Sequence, residues 1–342
     1  MRMHVFIIRR LILLIPVLIG VTMFVFILTR MAGPPYAAYI NPDKPPTQAQ
    51  IDAINEQYHL NDGYVEQYIY YLKGLLQGDW GWARGPPAEP VTDKIVRLFP
   101  ATFELAMVSM FIAVFIGIAL GTVSAVRRNT PTDHFTRIIA LSGVCLPIFI
   151  LGLLLQYVFA YQLGWFPFIG RFDTALYLES DINHYTGFLL VDTLLNLDWI
   201  RFQDAVWHLM LPAITLAFGT IALLTRIMRG SMLEVLSLDY VKTARSKGLP
   251  EKVVIKRHAR KNALIPTITV VGLAFGALLG GAVLTESVFT WPGLGGWAAS
   301  ATLAGDSNSI LGFTIITAII FVLFNLLVDI LYAHFDPRIK LE

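Results

Sequence analysis

Six stretches of this chain are apolar for long enough to cross a hydrocarbon core ~30 Å thick, a distance that takes about 20 residues of helix. They cover residues 11–28, 101–126, 138–160, 209–224, 268–284 and 310–332. Lipid offers no partner to a bare backbone, so segments of this length select helices. The chain therefore reads as an all-α membrane protein with six transmembrane helices. Composition agrees, because 342 residues that are 56% hydrophobic and 15% charged carry more apolar side chain than a soluble domain can hide. Arg9 and Arg10 precede the first stretch, as in a signal peptide. Its apolar run exceeds the usual h-region of roughly 7–15 residues, however, and it is read as a retained helix.

Lysine and arginine set the orientation. Arg2, Arg9 and Arg10 precede the first span, and Arg127, Arg128 and Arg137 lie between the second and third. The connection between the fourth and fifth is denser, with Arg226, Arg229, Lys242, Arg245, Lys247, Lys252, Lys256, Arg257, Arg260 and Lys261, and Arg338 and Lys340 close the chain. Residues 287–309 contain neither Lys nor Arg. Both termini and the 226–266 loop are therefore expected in the cytoplasm. Within the spans, Gly272, Gly276 and Gly280 form overlapping GxxxG spacings on the fifth, and Gly117 with Gly121 another on the second. The added small residues of the fifth, Ala274, Ala277, Gly281 and Ala282, favour a tight helix–helix or subunit interface there.

Several function classes drop out. A net charge of +2 gives nucleic acid nothing to follow. Cys145 has no second thiol, and no two of the seven histidines stand at i, i+4, so neither a disulfide framework nor a metal site is expected. No acid, base and nucleophile converge into a catalytic set. The chain divides into residues 1–30, a cytoplasmic start and first helix; 31–100, an external scaffold; and 101–342, a five-helix core containing the 226–266 loop. In the scaffold Thr47 is a helix N-cap ahead of Ile51, Ile54 and Tyr58, and Tyr64, Tyr68, Tyr70 and Tyr71 are placed at the bilayer interface.

The 226–266 loop is long enough for two short helices. Leu233, Leu236, Tyr240 and Ala244 keep helical spacing beside a basic stripe, and Gly248 follows a last turn containing Arg245 and Lys247 as a C-cap does. Pro250 and Glu251 suit the first turn of a second helix, which closes on Lys256, Arg257 and His258.

The run Asp239-Tyr240-Val241-Lys242-Thr243-Ala244-Arg245-Ser246-Lys247-Gly248-Leu249, continued by residues 257–266 to Pro266, resembles the EAA-type loop of permeases in binding-protein-dependent ABC importers. The variant is that of dipeptide, oligopeptide and nickel systems. Ala101-Thr102-Phe103-Glu104-Leu105-Ala106, the stretch from Leu284 to Gly295, and Asn325 to Asp329 with Asp336-Pro337-Arg338 resemble the same family. Residues 170–208 look most like dipeptide permeases. The chain departs from the pattern at Gly33-Pro34-Pro35 and at Gly305-Asp306-Ser307-Asn308, both external.

The resemblance implies a type I permease fold in the cell membrane, paired with a second, similar permease over two ATPases and served by an extracytoplasmic substrate-binding protein. No G-x-x-x-x-G-K-[ST] loop is present, so ATP and Mg belong to the partner ATPase and this chain needs no cofactor of its own. The resemblance makes Tyr240, Thr243, Ala244, Arg245, Gly248, Leu249 and Pro266 the ATPase-coupling residues. Glu286, Trp291 and Gly293 are expected to form an external gate or re-entrant turn, with an interfacial capping turn as the alternative. Cargo is expected to be dipeptides or short oligopeptides; nickel complexes, glutathione and oligosaccharides stay open. An ion-coupled secondary transporter is the rival class. It calls for ionisable residues at mid-span, whereas Glu104, Glu286 and Asp329 are placed near helix ends.

Overall fold

The structure, a computed structural model, describes residues 3–34, 36, 39–40, 46–84, 88–178 and 183–335. Pro35, Asp336, Pro337, Arg338 and Lys340, on which sequence expectations fell, lie outside them. The chain opens with α1 (Met3–Ala32) and continues through α2 (Gln48–Gln57) and α3 (Tyr64–Leu76) to a two-stranded antiparallel hairpin, β1 (Trp82–Ala83) and β2 (Glu89–Pro90). Long helices follow: α4 (Val91–Val126), α5 (Pro131–Cys145) and α6 (Ile148–Leu155), the last continuing as a π-helical turn to Gln162. Short α7 (Thr174–Leu178) and α8 (Leu189–Leu195) lead into α9 (Trp199–Leu236). The remainder is α10 (Asp239–Ser246), α11 (Glu251–Val253), a π-helical segment over Val254–Ala259, α12 (Arg260–Gly281), α13 (Val283–Val288), α14 (Leu294–Leu303) and α15 (Ser307–Phe335).

Among the described residues, four helical stretches are long and apolar enough to cross a membrane: Val91–Val126, Trp199–Leu236, Glu251–Leu279 (α11 through most of α12) and Ser307–Leu326. The stretch expected as the third span is two helices that are long and apolar enough only together, α5 and α6 with its π-helical continuation, bent by 110°. The cause is Pro147. Its ring forces Leu146 out of the helical region to φ −83°, ψ 124°, and its missing N–H ends the hydrogen-bond ladder. In α1, only Ile15–Leu28 qualifies as an apolar stretch, shorter than a full crossing, among the described residues.

The axis of the bundle is α4 against α9. A Cβ on Gly117 would lie 2.7 Å from Cβ of Leu224, and one on Gly121 would lie 2.7 Å from Cβ of Met228 and 2.8 Å from the Thr225 carbonyl oxygen. A Cβ on Gly143 of α5 would lie 2.6 Å from Cβ of Ala222. Helices approach this closely where one side of the crossing carries no side chain. The second-span glycines thus make a tight crossing inside the chain, while Gly276 of the fifth meets the Phe321 ring, 3.0 Å from a Cβ. Around this axis Leu105, Met110, Leu209, Leu216, Phe275, Leu279 and Ile320 form the main apolar core.

The described residues between α1 and α4 pack on the helices. Thr47 caps α2 with a capping box, as its position predicts. Tyr68 and Tyr71 turn inward onto Phe26 of α1, with ring centroids 5.3 and 5.6 Å apart, while Tyr64 and Tyr70 remain exposed. The hairpin is held by the turn before α15, where Asp306 accepts from the Arg84 N–H (2.7 Å) and Asn308 donates to the Trp82 carbonyl (3.0 Å). The departure from the family pattern at 305–308 therefore has a structural use.

Candidate functional site

The basic loop makes a compact turn rather than an open connection. α9 ends at Leu236, and α10 starts from Leu238, whose extended φ and ψ make it an N-cap. The apolar side of α10 is short: Val241 and Ala244 are buried among Met228, Met232 and Val235 of α9 and Val254, Ala259 and Ala263 beyond the turn. Tyr240, Thr243, Arg245 and Leu249 lie on the exposed side. The coupling residues proposed from sequence therefore divide. Ala244 seats the helix on its own chain, Tyr240, Thr243 and Arg245 are exposed on α10, and Leu249 is exposed just beyond its C-cap. Asp239 opens α10 with a carboxyl held below the usual range by the Lys242 ammonium, which donates to it at 2.9 Å.

Gly248 is where the chain reverses. Lys247 is the C-cap, and Gly248 follows at φ +75°, a region that costs an L-residue about 1–2 kcal/mol. Its N–H donates to the Arg245 carbonyl (2.9 Å) and the Leu249 N–H to the Ala244 carbonyl (3.4 Å), the paired bonds of a Schellman motif. Across this turn Arg245 donates to both carboxylate oxygens of Glu251, from Nε at 3.1 Å and Nη2 at 2.7 Å, and the carboxylate pushes the guanidinium's pKa up. Asn262 Nδ2 donates to the Tyr240 hydroxyl at 2.7 Å, fastening α10 to α12.

Beyond the turn the structure corrects the sequence reading. The second helix does not close on Lys256, Arg257 and His258; these residues lie in the π-helical segment, and the chain runs through it into α12. A helix C-terminus was inferred from cations alone, but no Gly or Pro follows them until Pro266, so nothing stops the ladder. Pro266 sits exposed inside α12, where it lacks the N–H that would meet the Asn262 carbonyl.

At the opposite end of the bundle, Glu286, Trp291 and Gly293 converge on the segment of α4 that begins at Ala101. The Glu286 carboxylate is fully buried; it accepts from Thr102 Oγ1 at 2.7 Å and from the Gly296 N–H at 2.8 Å. Gly296 is in the first turn of α14, so Glu286 supplies an N-terminal cap from outside that helix. Thr102 Oγ1 in turn accepts from the Leu294 N–H at 2.7 Å, and Trp291 Nε1 donates to the Ala101 carbonyl at 3.0 Å. A Cβ on Gly293 would come within 2.5 Å of Glu286 Cδ. Glycine is required there to let the carboxylate in. Trp291 is buried at 3% exposure, packed between this turn and α4.

Among the ion pairs that sequence reasoning missed, Glu104–Arg171 and Asp133–Arg229 are the ones with a buried carboxylate on a long helix. Glu104 is not near a helix end: α4 starts at Val91 and runs through Pro100, which places Glu104 well inside it. There it accepts from Arg171 Nη2 at 2.6 Å and from the Leu190 N–H at 2.7 Å. The second pair joins Asp133 of α5 to Arg229 of α9 by two bonds of 2.9 Å, with Ser124 of α4 donating to the same carboxylate at 2.5 Å. One signal was available: Asp133 is the lone acid between the second and third apolar stretches.

Comparison with known proteins follows the same lines. Residues 117–341 match the family described as binding-protein-dependent transport system inner membrane component, and residues 3–106 match the description of its N-terminal region. The dipeptide transport system permease protein DppB of Alkalihalophilus pseudofirmus is 42% identical over 97% of this chain and 98% of its own length. The di/tripeptide transport system permease protein DppB of Pseudomonas aeruginosa is 42% identical over 98% of each chain. The oligopeptide transport system permease protein AppB of Bacillus subtilis is 37% identical over 99% of this chain and all of its own. With two family matches and relatives of equal length, this chain belongs to the inner membrane components of binding-protein-dependent transport systems.

Proposed function

We propose that this chain is one of two similar permease subunits of an ATP-driven importer of dipeptides and short oligopeptides. The observation that carries the cargo is the 42% identity over 97% of the chain to a dipeptide permease. ATP and Mg are bound by separate ATPase subunits, and an extracytoplasmic binding protein delivers the peptide. The exposed face of α10, with Tyr240, Thr243, Arg245 and Leu249, is the surface offered to an ATPase, and Gly248 with the Arg245–Glu251 pair fixes its angle. ATP-driven closure of the ATPases then moves α10 and α9 together, because Val241 and Ala244 pack them into one body. The 101–342 portion is the transport core, and 31–100 an external scaffold on it.

Deletion of the chain is expected to abolish uptake of radiolabelled alanyl-alanine and spare that of free alanine. Retained dipeptide uptake with loss of nickel, glutathione or oligosaccharide uptake overturns the cargo. In the same assay Glu286→Gln tests the external gate. A neutral amide leaves the α14 cap with only a weak acceptor and places an N–H₂ near backbone donors, so uptake is expected to fall about tenfold with membrane assembly intact, corresponding to about 1.4 kcal/mol. Unchanged uptake removes Glu286 from gating.

Orientation has its own measurement. With both termini and α10 cytoplasmic, a Ser246→Cys variant is expected to react with an impermeant maleimide only after the cells are opened. Labelling from outside intact cells reverses the topology.

A further inference from the structure

We propose that α4, α5 and α9 build a site for the phosphate headgroup and one acyl chain of an anionic phospholipid. The three helices line an open-sided cavity of about 620 Å³ beside the Asp133–Arg229 pair. Arg137 of α5 and Arg226 and Arg229 of α9 line it, and no Asp or Glu is among the described residues that do. Arg229 is neutralised by Asp133. Arg137 and Arg226 are exposed, and neither makes a hydrogen bond or ion pair with another described residue. Two guanidiniums thus face the cavity with their charge uncompensated, which is the complement of a phosphate.

The rest of the lining says what the phosphate is attached to. Above Arg137, the residues Ile138, Leu141 and Val144 run along one face of α5 and line the same cavity. They are 65%, 64% and 61% exposed, and the rise from Arg137 to Val144 is about 10 Å of helix. A free phosphate uses the arginines and leaves this wall in water. A dipeptide such as alanyl-alanine is too short and too polar to cover a wall about 10 Å long. A lipid occupies both, with its headgroup at Arg137 and Arg226 and its acyl chain against Ile138, Leu141 and Val144. Basic pockets between membrane helices at the cytoplasmic side suit such lipids. The side of the membrane rests on the orientation proposed above, but the binding itself does not, so the test below separates the two.

The full chain, purified with its co-expressed subunits, is titrated in detergent with phosphatidylglycerol or phosphatidylcholine, and bound lipid is counted by native mass spectrometry. Phosphatidylglycerol is expected to bind in preference to phosphatidylcholine. Each cation removed near an anionic headgroup costs about fivefold, so R137Q/R226Q is expected to weaken phosphatidylglycerol binding about 30-fold. R137K/R226K keeps the charge and is expected to retain most of it, which separates charge loss from misfolding. Equal binding of both lipids, wild-type phosphatidylglycerol binding by R137Q/R226Q, or displacement of the lipid by millimolar inorganic phosphate or alanyl-alanine each overturns the assignment.

Discussion

Replacing Asp133 by alanine is expected to destabilise the packed helices by about 3 kcal/mol, more than any other single truncation considered for this chain. The carboxylate is fully buried and takes four hydrogen bonds: two from Arg229, one from Ser124 Oγ and one from the Asn129 N–H. Removing it leaves the Arg229 guanidinium, 22% exposed, without the partner that compensated its desolvation. Breaking a buried pair from one side costs roughly 3–5 kcal/mol, and the partial exposure of Arg229 places this case at the lower end. The double variant D133L/R229M removes both charges together. It is expected to recover most of the loss, since a matched apolar pair is often neutral relative to the ion pair it replaces. Thermal inactivation of the detergent-solubilised complex ranks the three proteins. Should D133A and D133L/R229M lose equal stability, the orphaned charge is not the source of the cost and the pair is not a structural latch.

That latch also shows where sequence reading stops. Apolar runs announce helices because the bilayer acts on each segment separately, and every long helix of the core coincides with a stretch that hydropathy marks. Local chemistry reads equally well: the Thr47 capping box and the positive φ of Gly248 depend on neighbours within a few residues. Pro147 was equally local, and its 110° bend was lost because hydropathy over 138–160 averages across it. Pro100, just before the expected start of the second stretch, lies inside α4, which begins at Val91. Glu104 with Arg171, Asp133 with Arg229, and Glu286 with Thr102 are 67, 96 and 184 residues apart in sequence. Nothing in the spacing of one partner points to the other. Of the candidate sites, the turn at Gly248 was therefore legible in outline, whereas the roles of Glu286 as a cap and Gly293 as its clearance needed the helices placed side by side.

Gly248 carries the largest expected functional effect. A Cβ at this position would meet nothing within 4 Å, so no steric contact inside the chain requires glycine. What requires it is φ +75°, and the resulting Schellman bonds set the direction in which the chain leaves α10. If Gly248 did no more than cap an exposed helix, any substitution would cost local stability alone, about 1–2 kcal/mol, absorbed by fraying of α10. If the turn aims α10 at a groove on an ATPase, a residue that rejects positive φ shifts both the helix and the Arg245–Glu251 clamp behind it. Alanine and valine separate these cases. Gly248→Ala tolerates the region at modest strain, and it is expected to lower transport only a few-fold. Gly248→Val adds β-branching that makes the conformation an outlier, so the turn opens and peptide uptake is expected to fall at least tenfold, about 1.4 kcal/mol of lost coupling. The chain itself should still insert, because α9 and α12 keep their apolar spans. ATP hydrolysis by co-purified ATPases should then lose its dependence on peptide. Wild-type uptake and wild-type ATPase recovery from Gly248→Val would return this turn to the role of an exposed helix end.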